Sequence, residues 1–142
     1  MAIINPAIRY FSKSKNRNSL KMAQAISEAL EIEAMSVEVD LDCEAQVLFL
    51  CNSMYAANID KEVRVFLENN ADQIKLLCNI CTSATGKSTY KKVKKIADQL
   101  GIPMMEEEFH CPGSWLAFNK GRPNQQDLEA LKKFVKDICA NR

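Results

Sequence analysis

The chain alternates between short apolar runs and stretches in which apolar residues recur at helical spacing. Residues 7–11, Ala-Ile-Arg-Tyr-Phe, read as a first strand, and residues 19–32 as a helix with Leu20, Ala23, Ile26 and Leu30 on one side. Residues 36–39 form a short second strand. Residues 45–51, with Val47, Leu48, Phe49 and Leu50 unbroken, have the pattern of a strand covered on both faces. A helix near 60–69 presents Val63, Phe66 and Leu67, and residues 74–81 form another buried strand. The next helix, 88–100, places Tyr90, Val93, Ala97 and Leu100 at turn spacing and is stopped by Gly101 and Pro103. Residues 104–110 read as the fifth strand. Residues 124–139 read as the last helix, with Leu128, Leu131, Val135 and Ile138 inward. Strands alternating with helices in this way predict an α/β fold, a parallel sheet with helices on both sides. No repeat, linker or low-complexity segment interrupts the series, so residues 1–142 read as one domain.

At 142 residues the chain can bury roughly two-thirds of its unfolded surface, so it needs no covalent staples. Hydrophobic residues at 47% and charged ones at 26% are ordinary for a soluble globular protein. A net charge of +1 gives no steer toward nucleic acid or a membrane. The longest apolar runs, 45–51 and 74–78, fall far short of the ~18 residues of a membrane span, and residues 1–6 carry no basic leader. A cytoplasmic location is therefore expected, with Cys43, Cys51, Cys78, Cys81, Cys111 and Cys139 as reduced, buried thiols. Charge is unevenly placed: residues 1–27 hold five bases and no acid, and residues 31–44 six acids and no base. Both runs, and the basic stretch 87–95, read first as solvated faces.

A parallel sheet binds ligands beyond the carboxyl ends of its strands, where the strand order reverses. The candidate loops are then 12–18, 52–58 and 82–87, all rich in hydroxyls and amides. The first, Ser12-Lys13-Ser14-Lys15-Asn16-Arg17-Asn18-Ser19, joins a strand to a helix start. Its hydroxyls, its amides and the free N–H groups of the helix form an anion cradle, to which three bases add charge. The plainer reading is a polar turn with Ser19 as N-cap.

At this point the chain resembles the flavodoxin family, whose first loop runs Ser/Thr-x-Ser/Thr-Gly-Asn-Thr. Ser12-Lys13-Ser14 matches the opening triplet and Asn18-Ser19 the closing pair. Two extra residues separate them and the glycine is missing, leaving Asn16 or Asn18 to take the left-handed conformation. The second loop, Asn52-Ser53-Met54-Tyr55-Ala56-Ala57-Asn58, resembles the family's Gly-x-x-Tyr-Ala-Gly-Asn. That likeness implies Tyr55 against a flavin ring and the backbone of Ala56 and Ala57 at the ring's N5 edge; otherwise Tyr55 packs over the third helix. The third loop, Thr82-Ser83-Ala84-Thr85-Gly86-Lys87, is similar to the family's other ring loop, and its small residues permit close backbone approach. Segments 109–115 and 120–128 also look like the end of such proteins, so the resemblance runs from about Ile8 to Ile138.

The resemblance implies a flavodoxin-like three-layer sandwich whose five-stranded parallel sheet has the order 2-1-3-4-5. It implies FMN as cofactor, held by Ser12, Lys13, Ser14, Asn18, Ser19, Ser53, Met54, Tyr55, Ala56, Ala57, Asn58, Ser83, Ala84, Thr85 and Gly86. It implies no catalytic residue and no metal ligand. Electron transfer with redox protein partners would follow, by a monomer or weak dimer, with the acidic stretch 31–44 as a local docking patch. Two other functions share the architecture: a small FMN-dependent reductase, and a binding module that has lost FMN through its glycine-free first loop.

Other signals carry less. Cys78-Asn79-Ile80-Cys81 has redox or zinc spacing, but residues three apart in a strand point to opposite faces. His110, the single histidine, has no partner by sequence, and Trp115 either shields a flavin edge or covers the core. A phosphorylation receiver needs an acceptor Asp after the third strand, where Cys51-Asn52 stand. A phosphatase loop needs an arginine six places after a cysteine, and no cysteine here has one.

Overall fold

Every residue of β3 (Val47–Ser53) and β4 (Leu77–Ser83) is buried, as sequences this apolar require, and the two strands form the middle of the sheet. The structure is a computed structural model that describes residues 5–12, 17–54, 59–114 and 119–141. β1 (Pro6–Tyr10), β2 (Ala34–Ser36) and β5 (Phe109–Pro112) complete a five-stranded parallel sheet in the order 2-1-3-4-5. The register is fixed by pairs such as Ile8 with Ala34, Ile8 with Phe49, Leu50 with Asn79 and Cys81 with His110. The strand order and the layering are those expected.

Side-chain alternation along the strands builds two cores. Ile8, Phe49, Cys51, Cys78 and Ile80 point to one face, against Met22 and Ile26 of α1 (Asn18–Leu30) and Leu131 and Val135 of α4 (Gln125–Asn141). Leu48, Leu50 and Leu77 point to the other, against Val63, Phe66 and Leu67 of α2 (Lys61–Asn70) and Val93 and Ile96 of α3 (Tyr90–Leu100). Each such aliphatic or aromatic side chain, fully buried, contributes about 1.5–3 kcal/mol of transfer free energy. Cys78 and Cys81 do face opposite sides: Cys78 lies in the first core, and Cys81 Sγ sits 3.4 Å from Ser88 Oγ beyond β4's other face.

Both edge strands are shifted from the sequence expectation. The second lies at Ala34–Ser36 rather than 36–39, because Ser36 turns the chain: its hydroxyl accepts from Glu38 N–H and its carbonyl from Val39 N–H. Arg9 holds that turn. Its buried guanidinium donates to the carbonyls of Val39 (2.9 Å) and Asp40 (3.1 Å), so it belongs to the acidic stretch and not to a phosphate loop. Burial lowers the Arg9 pKa, and Asp42, Asp40 and Glu33 work against the loss. The fifth strand is Phe109–Pro112 rather than 104–110. Met104 makes a single bridge to Leu77, and the exposed Glu106 and Glu107 then leave the sheet. Cys43 is exposed and Cys139 half-buried, so the thiols are free but not all interior.

α4 begins with a reciprocal cap. Asn124 Oδ1 accepts from Asp127 N–H (2.9 Å), and Asp127 Oδ2 accepts from Asn124 N–H (2.8 Å). Arg122 adds a two-pronged bond, Nε and Nη2 to the two Asp127 oxygens at 2.7 and 2.9 Å. Chiefly through Arg122, the Asp127 carboxyl titrates below its ordinary value. A carboxyl depressed on folding contributes stability that is present above its unfolded pKa and lost as pH falls through the folded one. Asn124→Ala is therefore expected to cost about 1 kcal/mol at pH 7. The cost of Asp127→Asn should shrink as pH falls below about 4. Urea unfolding of the three proteins at neutral and acid pH checks both.

Candidate functional site

β1 and β3 lie side by side, yet the chain leaving β1 crosses to one face as α1 and the chain leaving β3 crosses to the other as α2. This is the sheet's switch point, where sheets of this kind place their ligands beyond the carboxyl ends of the strands. The central strands end in hydroxyl residues that are buried and must find partners. They find one another. Ser19 of α1 and Ser53 of β3 have their hydroxyls 2.9 Å apart, and Ser53 and Thr82 of β4 theirs also 2.9 Å apart. Ser19 is fully buried, Thr82 1% exposed and Ser53 5% exposed.

Gly113, just past β5, lies flush on this hydroxyl floor. A Cβ there would come within 2.8 Å of Asn18 Nδ2 and Thr82 Cβ, so only glycine fits. Asn18 reaches over the gap, donating to the carbonyl of Ser114 at 3.0 Å. Ser12 Oγ accepts from Leu20 N–H (3.1 Å), satisfying one of the orphan donors in the first turn of α1. The left-handed residue before α1 is Arg17 (φ 51, ψ 45), while Asn18 is already helical and Ser19 is the second helical residue rather than the N-cap. Asn16 lies outside the described residues.

A second network ties down the roots of the loops after β3 and β4. Asn52 Nδ2 donates to Asn79 Oδ1 (2.8 Å), and Asn79 Nδ2 donates to Thr89 Oγ1 (3.1 Å) and to Glu108 Oε1 (2.9 Å). Ser88 Oγ donates to the same Glu108 oxygen at 2.7 Å and accepts from Tyr90 N–H at the start of α3. Asn119 Nδ2 donates to the carbonyl of Ala84, joining the β5–α4 connection to the loop after β4. Asn52 Oδ1, 1% exposed as a residue, is the one buried side-chain oxygen or nitrogen without a partner among the described residues.

Of the residues expected at a site, Ser12, Asn18, Ser19, Ser53, Met54, Ser83, Ala84, Thr85 and Gly86 lie at this edge. Met54 N–H donates to the Thr82 carbonyl, and Gly86 takes a left-handed turn (φ 82). Lys13, Ser14, Tyr55, Ala56, Ala57 and Asn58, with Trp115, lie outside the described residues. Asn52, Ser53, Thr82 and Ser83 end strands rather than open loops. His110 Nε2 pairs with Ser83 Oγ at 3.1 Å, a partner invisible in the sequence. Sequence reasoning also missed Asn79, Glu108, Gly113 and Asn119. Asn79 could have been noticed as an amide inside an apolar run, where it needs a buried partner.

Burial raises the pKa of Cys51 and Cys81, and it pushes Cys111 up to about 12 with help from Asp127. Among the described residues no group of three or more His, Cys, Asp or Glu side chains is placed to hold a metal ion. No described helix is long and apolar enough to cross a membrane.

No protein-family model matches the chain, and no curated protein does. Solved structures match it over nearly its whole length. A flavodoxin from the domain Archaea superposes with a TM-score of 0.73 at 18% identity, covering 96% of this chain and 97% of that one. A flavodoxin of Streptococcus pneumoniae gives 0.69 at 14%, covering 98% and 100%. The rubredoxin oxygen:oxidoreductase of Desulfovibrio gigas gives 0.70 at 15%, covering 98% of this chain but only 36% of the larger one. Likeness at such identities concerns architecture, and the architecture is plain: this chain has the flavodoxin-like fold.

Proposed function

We propose that the protein binds FMN at the carboxyl edge and passes electrons between redox proteins. The observation that carries the reading is the uncharged floor of Ser19, Ser53 and Thr82, set against the N-terminus of α1 at the switch point and kept flush by Gly113. A phosphate is favoured at a helix N-terminus by the unpaired N–H groups and the dipole. No carboxylate belongs to that floor to oppose a dianion, so the N–H groups at the start of α1 above it suit the phosphate of FMN. Ser12 and Ser14 then bracket the phosphate loop, and Tyr55 and the Ala84–Gly86 turn supply the ring walls. FMN brings the redox chemistry itself, so no acid–base pair is required. The chain's own residues bind, orient and exclude water.

An FMN reductase with a small substrate of its own is the other reading of the same site, and the match to part of an oxidoreductase fits it equally. Loss of FMN is the third, motivated by the glycine-free first loop, where Arg17 takes the left-handed position.

Quenching of flavin fluorescence on titration decides among these. Micromolar FMN should be quenched and riboflavin bound much more weakly, and Ser14→Ala should narrow that difference. No quenching by FMN would establish the cofactor-free module. Turnover of NAD(P)H without a protein acceptor would favour the reductase. Tyr55→Ala is expected to weaken FMN binding by about 1–3 kcal/mol, by analogy with bases stacked on aromatic side chains. Gly113→Ala, which forces a methyl group into Asn18 and Thr82, should destabilise the fold by about 1–3 kcal/mol in urea unfolding.

A further inference from the structure

Charge is separated along the strand axis. Each helix follows a strand and so starts at the carboxyl edge, and these starts carry exposed bases: Arg17 and Lys21 at α1, Lys61 at α2, Lys87 and Lys91 at α3, and Lys120 before α4. Among the described residues none of the six makes an ion pair. Against them stand the half-buried Asp60 and Glu62, the exposed Glu38 beyond β2 and the half-buried Glu108, whose carboxylate is taken up by Asn79 and Ser88 as Asp127 is by Arg122. The opposite edge carries more acids than bases: Glu31 and Glu33 follow α1, Asp42 and Glu44 precede β3, and Asp72 follows α2, all exposed, with Lys75 paired to Glu44 at 3.3 Å. The helix dipoles add the same polarity, positive at the carboxyl edge.

We propose that the carboxyl edge is a docking surface for an acidic redox protein. The proposal rests on the reading that this edge holds FMN, since a partner in electron transfer must come to that edge. The rim then decides which partner is accepted. With a net charge of +1 the molecule is a dipole rather than a polycation. A dipole steers and orients an approaching protein, whereas a nucleic-acid binder carries a net basic charge. Of the acidic stretch expected to serve as the docking patch, Glu31, Glu33, Asp42 and Glu44 lie at the amino edge, Glu38 stays beyond β2, and Asp40 is folded back, accepting from Arg9 through its carbonyl and from Asn70 through its carboxylate.

The test uses the full chain without added flavin and two probes of opposite surface charge, the acidic soluble domain of cytochrome b5 and basic cytochrome c. Zero-length carbodiimide coupling joins lysines to carboxylates, and mass spectrometry locates the joints. Cytochrome b5 should couple to Lys61, Lys87, Lys91 and Lys120, with a yield that collapses in about 0.5 M NaCl. Calorimetric affinity for cytochrome b5 should fall about tenfold or more in the Lys87→Glu, Lys91→Glu, Lys120→Glu variant, whose exposed positions leave the circular dichroism unchanged. Coupling through Lys75, Lys133 or Lys136, a yield indifferent to salt, or no coupling would overturn the proposal. Tighter binding of a short DNA duplex to the same lysines would overturn it in favour of nucleic acid. The cofactor reading is judged separately by flavin titration. Docking without FMN binding would keep the surface but remove its redox purpose, and FMN binding without docking would keep the cofactor and remove the surface.

Discussion

A hydroxyl buried at the end of a strand must be bonded, and that requirement organises the functional end of this protein. Ser53 and Thr82 terminate the two central strands inside the fold, where an unpaired hydroxyl would cost about 1–3 kcal/mol. Ser19 completes the chain from α1, so the helix is drawn onto the strand ends and its N-terminus is fixed over the switch point. Gly113 must be glycine because the same hydroxyl chain leaves no room for a methyl group. Asn18, held by the main chain of Ser114, then closes the floor from the β5 side. The placement of a helix N-terminus, a flush polar floor and the roots of two loops are all consequences of that one packing problem.

The second network carries the same logic to the other face of the sheet. Asn52 and Asn79 are amides set in the most apolar strands, and they are tolerated because Thr89, Ser88 and Glu108 answer them. These bonds couple the end of β3 to the connection between β4 and α3. The Asn52 oxygen is left over. It is on the carboxyl end, with the polarity of charge from edge to edge, that the proposals of an anionic ligand and a negatively charged partner rest.

The fold was legible because its information is periodic. Runs such as Val47–Leu50 and the helical spacing of Leu131 and Val135 place a buried strand and a covering helix without reference to anything distant. The edges were less legible, since the turn after Ser36 is held by Arg9, whose guanidinium bonds the carbonyl of Val39, 30 positions further along the chain. At the site, Ser12, Asn18, Ser53 and Ser83 announce themselves by type and by their place near the strand ends. Gly113 and Glu108 do not, because their roles arise from pairings between β4, β5 and α1 that no local pattern records. Arg17 in the left-handed position was hidden for a related reason: asparagine is the residue that intrinsic preference favours, and tertiary packing overrides it here.

The central claim is that FMN sits on the hydroxyl floor at the carboxyl edge. Backbone amide chemical shifts, followed while FMN is added to the isotopically labelled protein, test it most directly. The account predicts saturable shifts at Asn18, Ser19, Ser53, Ser83 and Gly113, with Glu31, Asp72 and Gly101 at the far edge unmoved. Shifts confined to that far edge, or none at saturating FMN, would contradict it.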